Sequence, residues 1–241
     1  MSSTLSSQER FLLTAAHLQA RRRVLFLTTS NRWSQEKNGE IAKSTQLAHL
    51  LRAQLPTDVE REWIDIPTLH IAPCEGNVST AHGNVCGVQE AMLKNKEQNP
   101  TGHHRCWASL NDSNDELWKV SRAIFAADTV LFFGSIRWGQ MNSIYQKLIE
   151  RLTWMENRHS TLGESNLLAQ KQAGIIVTGQ NWNGANVIDL QKQVLEFYGF
   201  QVVPELCWNW QYSDDADEEG NQTYLDAVDA FERTFSVFTH S

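Results

Sequence analysis

Four apolar runs, each bounded by small or polar residues, punctuate the chain: Arg23–Ser30, Asp128–Gly134, Lys171–Gly179 and Phe200–Cys207. Runs this short and this uniformly apolar are how strands buried on both faces read. A fifth segment, Glu60–Asp65, is half charged, which marks a strand at or near a sheet edge. Between the runs, apolar residues recur at helical spacing. Leu47, Leu50, Leu51 and Leu55 do so before Pro56, and Leu117, Val120, Ile124 and Phe125 after Asp115. Ile144, Leu148, Ile149 and Leu152 form a third stripe over Ser143–Thr153, and Val187–Tyr198 a last helix stopped by Gly199. Strand and helix alternate. Each parallel connection must cross over the sheet, right-handed, so the alternation predicts an α/β fold. It is a doubly wound, five-stranded parallel sheet with helices on both faces and Arg23–Ser30 as its central first strand.

Two segments stand outside this alternation. Residues 1–22 form an N-terminal helical extension, with Ser6 and Glu9 spaced as a capping box and Phe11, Leu12, Ala15 and Leu18 assigned to one face. Residues 69–113 are polar, with a helical patch only near Val88–Lys96, and read as an insertion in a domain running from 23 to 241.

Composition narrows the function classes. At 241 residues, 41% hydrophobic and 20% charged, the chain supports a sizeable core. A formal charge of −7 argues against a nucleic-acid partner, since phosphate-backbone binding needs a basic stripe and only Arg21–Arg23 offers a basic run. No run of eighteen apolar residues and no signal core appear, so neither a membrane nor secretion is expected, and a cytoplasmic location is. The four cysteines, Cys74, Cys86, Cys106 and Cys207, contain no C-x-x-C pair and are expected to be reduced thiols.

In an open α/β sheet, ligands bind beyond the carboxyl ends of the strands, where the chain order reverses. After the first strand come Ser30, Arg32 and then Lys43-Ser44-Thr45-Gln46 at a helix start. Hydroxyls and free N–H groups at a helix N-terminus suit an anion, and Arg32 and Lys43 add charge; Ser44 as a simple helix cap fits equally well. After the third strand comes Gly134-Ser-Ile-Arg-Trp-Gly-Gln-Met-Asn-Ser143. Its glycines permit a tight turn, Trp138 offers a flat apolar face, and Ser135, Gln140 and Asn142 are neutral polar groups. That mixture suits a flat heteroaromatic ring. It equally suits a loop whose Trp138 caps the core and whose Asn142 caps the next helix. No G-x-G-x-x-G, Walker lysine or G-x-S-x-G motif is present, which disfavours a dinucleotide fold, a triphosphatase and a hydrolase.

Three features in order resemble the flavodoxin-like NAD(P)H-dependent oxidoreductases that carry FMN. They are Ser30-x-Arg32 with Lys43-Ser44-Thr45, then Ser135 to Ser143 followed by Lys147 and Arg151, then Thr178-Gly-Gln-Asn-Trp-Asn-Gly184. The resemblance spans roughly residues 23 to 206 and implies strand order 2-1-3-4-5. It implies FMN, with the phosphate held by Ser30, Arg32, Ser44, Thr45 and Gln46, joined by Lys43. The ring would lie against Ser135, Ile136, Arg137, Trp138, Gly139, Asn142, Thr178, Gly179 and Gln180, with Gln140, Asn181 and Gly184 alongside. The first loop is longer than the family's, and Arg137 stands where the family has a Pro-Tyr or Pro-Val neighbourhood. Arg137 either tunes the reduced flavin as a nearby cation, or points to solvent, or pairs with an acidic neighbour.

The implied activity is transfer of electrons from NAD(P)H through flavin to a quinone, flavin or similar small acceptor, by a homodimer or homotetramer. An FMN-binding electron carrier without nicotinamide oxidation is the alternative. No protein catalytic residue is expected, because flavin N5 carries the chemistry. Relatives with clustered cysteines in such an insertion hold an iron–sulfur cluster, but the spacing of Cys74, Cys86 and Cys106 lacks the tight pairs such a cluster uses, so no metal is expected. The Trp-rich segments Leu152–Arg158 and Cys207–Tyr212 fit an acceptor pocket, a subunit contact or core packing.

Overall fold

A computed structural model of the chain describes residues 5–31, 40–76, 85–179, 183–211 and 224–239. Its elements in chain order are α1 (Ser7–Gln19), β1 (Arg23–Thr28), α2 (Lys43–Ala53), β2 (Glu60–Asp65), α3 (Trp107–Asn111) and α4 (Leu117–Ala126). Then follow β3 (Thr129–Arg137), β4 (Gln140–Met141), α5 (Ser143–Ser160), β5 (Gln172–Gly179), α6 (Gly184–Tyr198), β6 (Gln201–Gln211) and α7 (Tyr224–Phe235). Five parallel strands lie in the order β2-β1-β3-β5-β6, and β4 is a short antiparallel hairpin arm on β3. This is the flavodoxin-like order expected from the sequence, with the hairpin arm shifting the last two strand numbers.

The reason the strands read as continuous apolar runs is visible in the core. Leu25, Leu27, Val130 and Phe132 face one side, where α4, α5 and α6 cover the sheet; Val24, Phe26, Leu131 and Phe133 face the other, under α1, α2 and the C-terminal residues Phe235 and Phe238. Glu60–Asp65 does pair on one side only, as an edge strand should. Gly174 lets β6 approach β5: a Cβ there would lie 2.2 Å from Leu206 Cβ, beside the irregular register between Ala173 and Ile175. Among the described residues, no helix is long and apolar enough to cross a membrane.

Several sequence expectations change. The α1 capping box forms, with Ser6 N donating to Glu9 Oε2 (2.7 Å) and Glu9 N to Ser6 Oγ (3.2 Å). Phe11, Ala15 and Leu18 are buried against β6 and the C-terminal residues, but Leu12 is exposed, off the buried stripe. In the insertion, the helical patch at Val88–Lys96 shrinks to a single 3₁₀ turn at Gln89–Ala91, and a short helix appears instead at Trp107–Asn111. Helix α5 runs to Ser160, seven residues past the apolar stripe's apparent end at Thr153. Its polar continuation, Glu156-Asn157-Arg158, is buried because it grips the insertion: Asn157 Nδ2 donates to Cys86 O (2.5 Å) and Arg158 Nη1 to His103 O (2.8 Å). The tryptophans of the two Trp-rich segments, Trp154, Trp208 and Trp210, are core residues. The acidic stretch 214–219 lies outside the described residues.

Candidate functional site

The carboxyl ends of β1 and β3 are pinned together by one side chain. Asn142 Oδ1 accepts from Ser135 N (3.0 Å) and lies 3.2 Å from Thr29 Oγ1, while its Nδ2 donates to Thr29 O (2.7 Å). Thr29 also donates to Phe133 O through its backbone N–H (2.9 Å) and its hydroxyl (2.8 Å). Asn142 sits at the N-cap position of α5 yet makes no side-chain cap there. The capping role is therefore absent, and the amide serves the crevice between the strands. Gly134 is required by the same closeness: a Cβ would fall 2.5 Å from Met141 Cε and 2.9 Å from Asn142 Oδ1.

Beyond Ser135, β3 turns back on itself. Trp138 and Gly139 both have positive φ, 51° and 69°, between the paired residues Arg137 and Gln140. Two such residues fit a type I′ hairpin turn, where a tryptophan is strained. The turn is stapled to the start of α6, since its N-cap residue Asn183 donates through Nδ2 to Gly139 O (2.6 Å) and is itself left-handed (φ 64°). Trp138 is 93% exposed, so it does not cap the core. Arg137 and Gln140 are exposed as well. Ile136 lies under the end of β5, its Cδ1 2.8 Å from where a Gly179 Cβ would stand, and Thr178 is buried opposite Ser135. Gly184 opens α6 against Asn209 and Gln211 with no room for a side chain.

At the other end of the crevice, α2 begins at Lys43 with Ala42 as its N-cap, a residue that supplies no side-chain cap. Ser44 is buried in the first turn and its hydroxyl hydrogen bonds that of Ser30 at 2.5 Å. A helix leaves its first N–H groups without intrahelical partners and its N-terminus positive. Hydroxyls and amides thus converge where the chain order reverses between β1 and β3. Thr45 follows in that turn, and Gln46 Nε2 donates to Ile41 O (2.7 Å). The Lys43 ammonium is directed instead to Glu232 of α7 and to Glu40. Arg32, Gln180 and Asn181 lie outside the described residues.

The structure therefore brings Ser30 and Ser44 together at one end, and Ser135, Ile136, Gly139, Asn142, Thr178, Gly179 and Gly184 around the ends of β3 and β5. Sequence reasoning missed Thr29, Met141 and Asn183. The Asn-Gly pair at 183–184 is a turn signal that points to the last of these. The residues present fit FMN. An anion-ready helix end serves a phosphate, and neutral polar groups, Ser135, Asn142 and Thr178, stand at the neighbouring strand ends where a polar-edged ring would lie.

Behind this site the insertion is fastened to α5 by a buried ionic network. Arg151 and Asp115 are fully buried and paired twice, at 2.8 and 2.9 Å, and Arg151 also donates to Ala72 O (2.6 Å) and Ser109 Oγ (2.9 Å). Burial pushes the Asp115 carboxyl up, but hydrogen bonds from Arg151 and Ser109 outweigh it and hold the group below the ordinary carboxylate range. Ser109 Oγ donates its only proton to Asp115 Oδ2 (2.6 Å), so His104 Nε2, 2.9 Å away, must be the donor to Ser109. His104 Nδ1 then accepts from Ser121 Oγ (2.9 Å), and the ring is neutral, its pKa driven down to about 3 by burial. Arg151, which the sequence placed in a motif with Lys147, is thus a strut between α5 and the insertion. Burial pushes the Cys86 thiol up to about 12, with Cys106 and Cys74 nearby adding to the rise. Among the described residues, no group of three or more His, Cys, Asp or Glu is placed to hold a metal ion.

The sequence matches the NADPH-dependent FMN reductase family over residues 23–215. No curated protein sequence matches it. Among solved structures, one resembling it is RosB with the bound intermediate 8-demethyl-8-formylriboflavin-5'-phosphate, at 14% identity and a TM-score of 0.52, covering 90% of this chain and 77% of that one. Another is Smu.1420 from Streptococcus mutans UA159, at 13% identity and 0.50, covering 91% of this chain and all of that one. At such identities the likeness is one of fold.

Proposed function

The chain belongs to the NADPH-dependent FMN reductase family, with FMN as cofactor and NAD(P)H as electron donor, and from that premise we propose where FMN sits and what the protein reduces. The phosphate lies at the N-terminus of α2 with Ser30, Ser44, Thr45 and Gln46, reached by Arg32 and Lys43. The ring lies over the ends of β3 and β5, against Ser135 to Gly139 with Gln140, Asn142, Thr178 and Gly179, with Gly184 at the start of α6 and with Gln180 and Asn181 alongside.

The observation that carries this reading is the α2 N-terminus: it opens on an alanine N-cap, and Ser44 spends its hydroxyl on Ser30 across the crevice. A helix end built only for stability would carry Ser, Thr, Asn or Asp at the N-cap position that Ala42 holds, a contribution of about 1 kcal/mol. Bound there, FMN supplies two-electron transfer from a reduced nicotinamide to an acceptor. The protein's part is placement. Asn142 fixes the spacing of β1 and β3, Gly134 and Gly179 let Met141 and Ile136 pack against the strand ends, and the stapled turn holds Trp138 at the rim. The exposed indole favours a planar acceptor, a quinone or a free flavin, by stacking. Assembly as a homodimer or homotetramer and a cytoplasmic location complete the proposal.

Titration with FMN and with riboflavin, followed by flavin fluorescence, tests the phosphate site. FMN should bind at least about tenfold more tightly, the equivalent of about 1.4 kcal/mol, and S30A/S44A should erase most of that preference. Equal affinities would overturn the placement. Oxidation of NADH or NADPH in the presence of a quinone, a flavin or an azo compound then tests the reaction. Bound flavin without nicotinamide oxidation would make the protein an electron carrier.

A further inference from the structure

Lys43 occupies the first position of α2, where its charge opposes the positive end of the helix dipole. Its side chain is only 4% exposed, so it needs a counter-charge close by. The counter-charge comes from another element. Glu232 of α7 contacts Nζ directly, and Glu40 Oε1 lies 3.4 Å away. The rings of Phe235 and Phe231 stand 5.1 and 5.9 Å from Nζ and pack edge-on against Trp210, near the end of β6. The ammonium thereby ties the C-terminal helix to the helix end that receives the phosphate.

We propose that Glu232 competes with the FMN phosphate for Lys43, so that α7 docked through Glu232 weakens cofactor binding and bound FMN in turn loosens α7. This rests on the phosphate site assigned above. The charges explain the sense of the coupling. A phosphate dianion arriving beside Lys43 joins two carboxylates already around a single ammonium, and like charges in so small a space repel. Glu232 gives way because its side chain is 48% exposed and rehydrates on leaving, whereas the phosphate keeps the amides of α2. Coupling of this kind is reciprocal: the factor by which Glu232 weakens FMN is the factor by which FMN weakens the docking contact.

The test is FMN titration of the full chain at low salt, where surface charge is least screened, with E232Q, D229N, K43M and K43M/E232Q. Removing the competitor in E232Q should tighten FMN about three- to fivefold, the size expected of a partly exposed ion pair. D229N changes an exposed charge on the same helix and should leave the affinity within error. In the K43M background, E232Q should do no more than D229N. Trypsin cleavage after Arg233, in the same helix, should speed up when FMN is added to the wild-type protein. Unchanged or weaker FMN binding by E232Q, or protection of Arg233 by FMN, would overturn the competition while leaving the cofactor site intact. Failure of the wild-type protein to bind FMN would overturn the cofactor site and the competition with it.

Discussion

Acid should unfasten the insertion through His104. The ring is 2% exposed, both nitrogens are committed, and burial sets its pKa at about 3, against an ordinary 6.5. Below pH 6.5 the unfolded chain takes up a proton that the folded chain refuses until about pH 3. The unfolded state therefore binds more protons across that window, and stability falls as pH falls, by about 1.4 kcal/mol per unit for one group. Between pH 7.5 and 4.5 the loss is about 2.7 kcal/mol, a sizeable part of the 5–15 kcal/mol that holds a typical domain together. Asp115 acts lower on the scale. Its depressed carboxyl contributes stability that is present above the unfolded value, about 3.9, and lost as pH falls through the folded value. The assay is urea unfolding at half-unit steps from pH 7.5 to 4.5, for wild type and H104Q. H104Q should be less stable at pH 7.5 and visibly flatter across the series, so that the two curves converge on acidification. Parallel curves would refute the assignment of His104 as a buried neutral base.

Four further outcomes follow from the geometry. N142A strips the amide from Thr29 O and Ser135 N and should cost about 2–4 kcal/mol in thermal or urea unfolding, with FMN affinity falling at least about tenfold. N142D keeps only the acceptor and should not rescue it. G134A pushes a methyl against Met141 and Asn142 and should cost about 1–3 kcal/mol by the same unfolding assay, part of which G134A/M141A recovers. R151M leaves the Asp115 carboxylate buried without its counter-charge, at a cost of about 3–5 kcal/mol, while D115L/R151M should be distinctly more stable than R151M. W138A, at a fully solvated and strained position, should change stability by less than about 0.5 kcal/mol yet raise KM for a planar acceptor in steady-state assays; an unchanged KM removes Trp138 from acceptor binding.

The sheet was legible because its strands are buried on both faces, which leaves an unbroken apolar run in each: Val24–Leu27, Val130–Phe133 and Ile175–Val177 needed no periodicity argument. The crevice was legible in part. Ser30, Ser44, Ser135 and Asn142 were identifiable as polar residues at strand ends, but their partners were not. Asn142 and Ser44 look like helix caps in sequence; the register Thr28↔Phe133 shows why Asn142 turns to Thr29, and Ser44 instead meets Ser30 just beyond β1. The end of α5 was hidden for a different reason. Glu156, Asn157 and Arg158 are buried polar residues whose partners lie in the insertion, so hydrophobic periodicity ends before the helix does. Glu232 gave no signal at all, because its contact with Lys43 joins residues near opposite ends of the chain.

The grip of α5 on the insertion also sets an order of events during synthesis. Ala72, Cys86 and His103 meet Arg151, Asn157 and Arg158 across 79, 71 and 55 residues of chain. The insertion leaves the ribosome before the helix that fastens it has been made. At about 5–20 residues per second, the stretch from the insertion's end to Arg158 takes roughly two to nine seconds to appear. For that interval Ile71, Ala91 and Ala108, all buried in the finished protein, have only solvent or a chaperone to face. The segment between β2 and α4 thus waits through a delay fixed by where its anchor on α5 lies in the message.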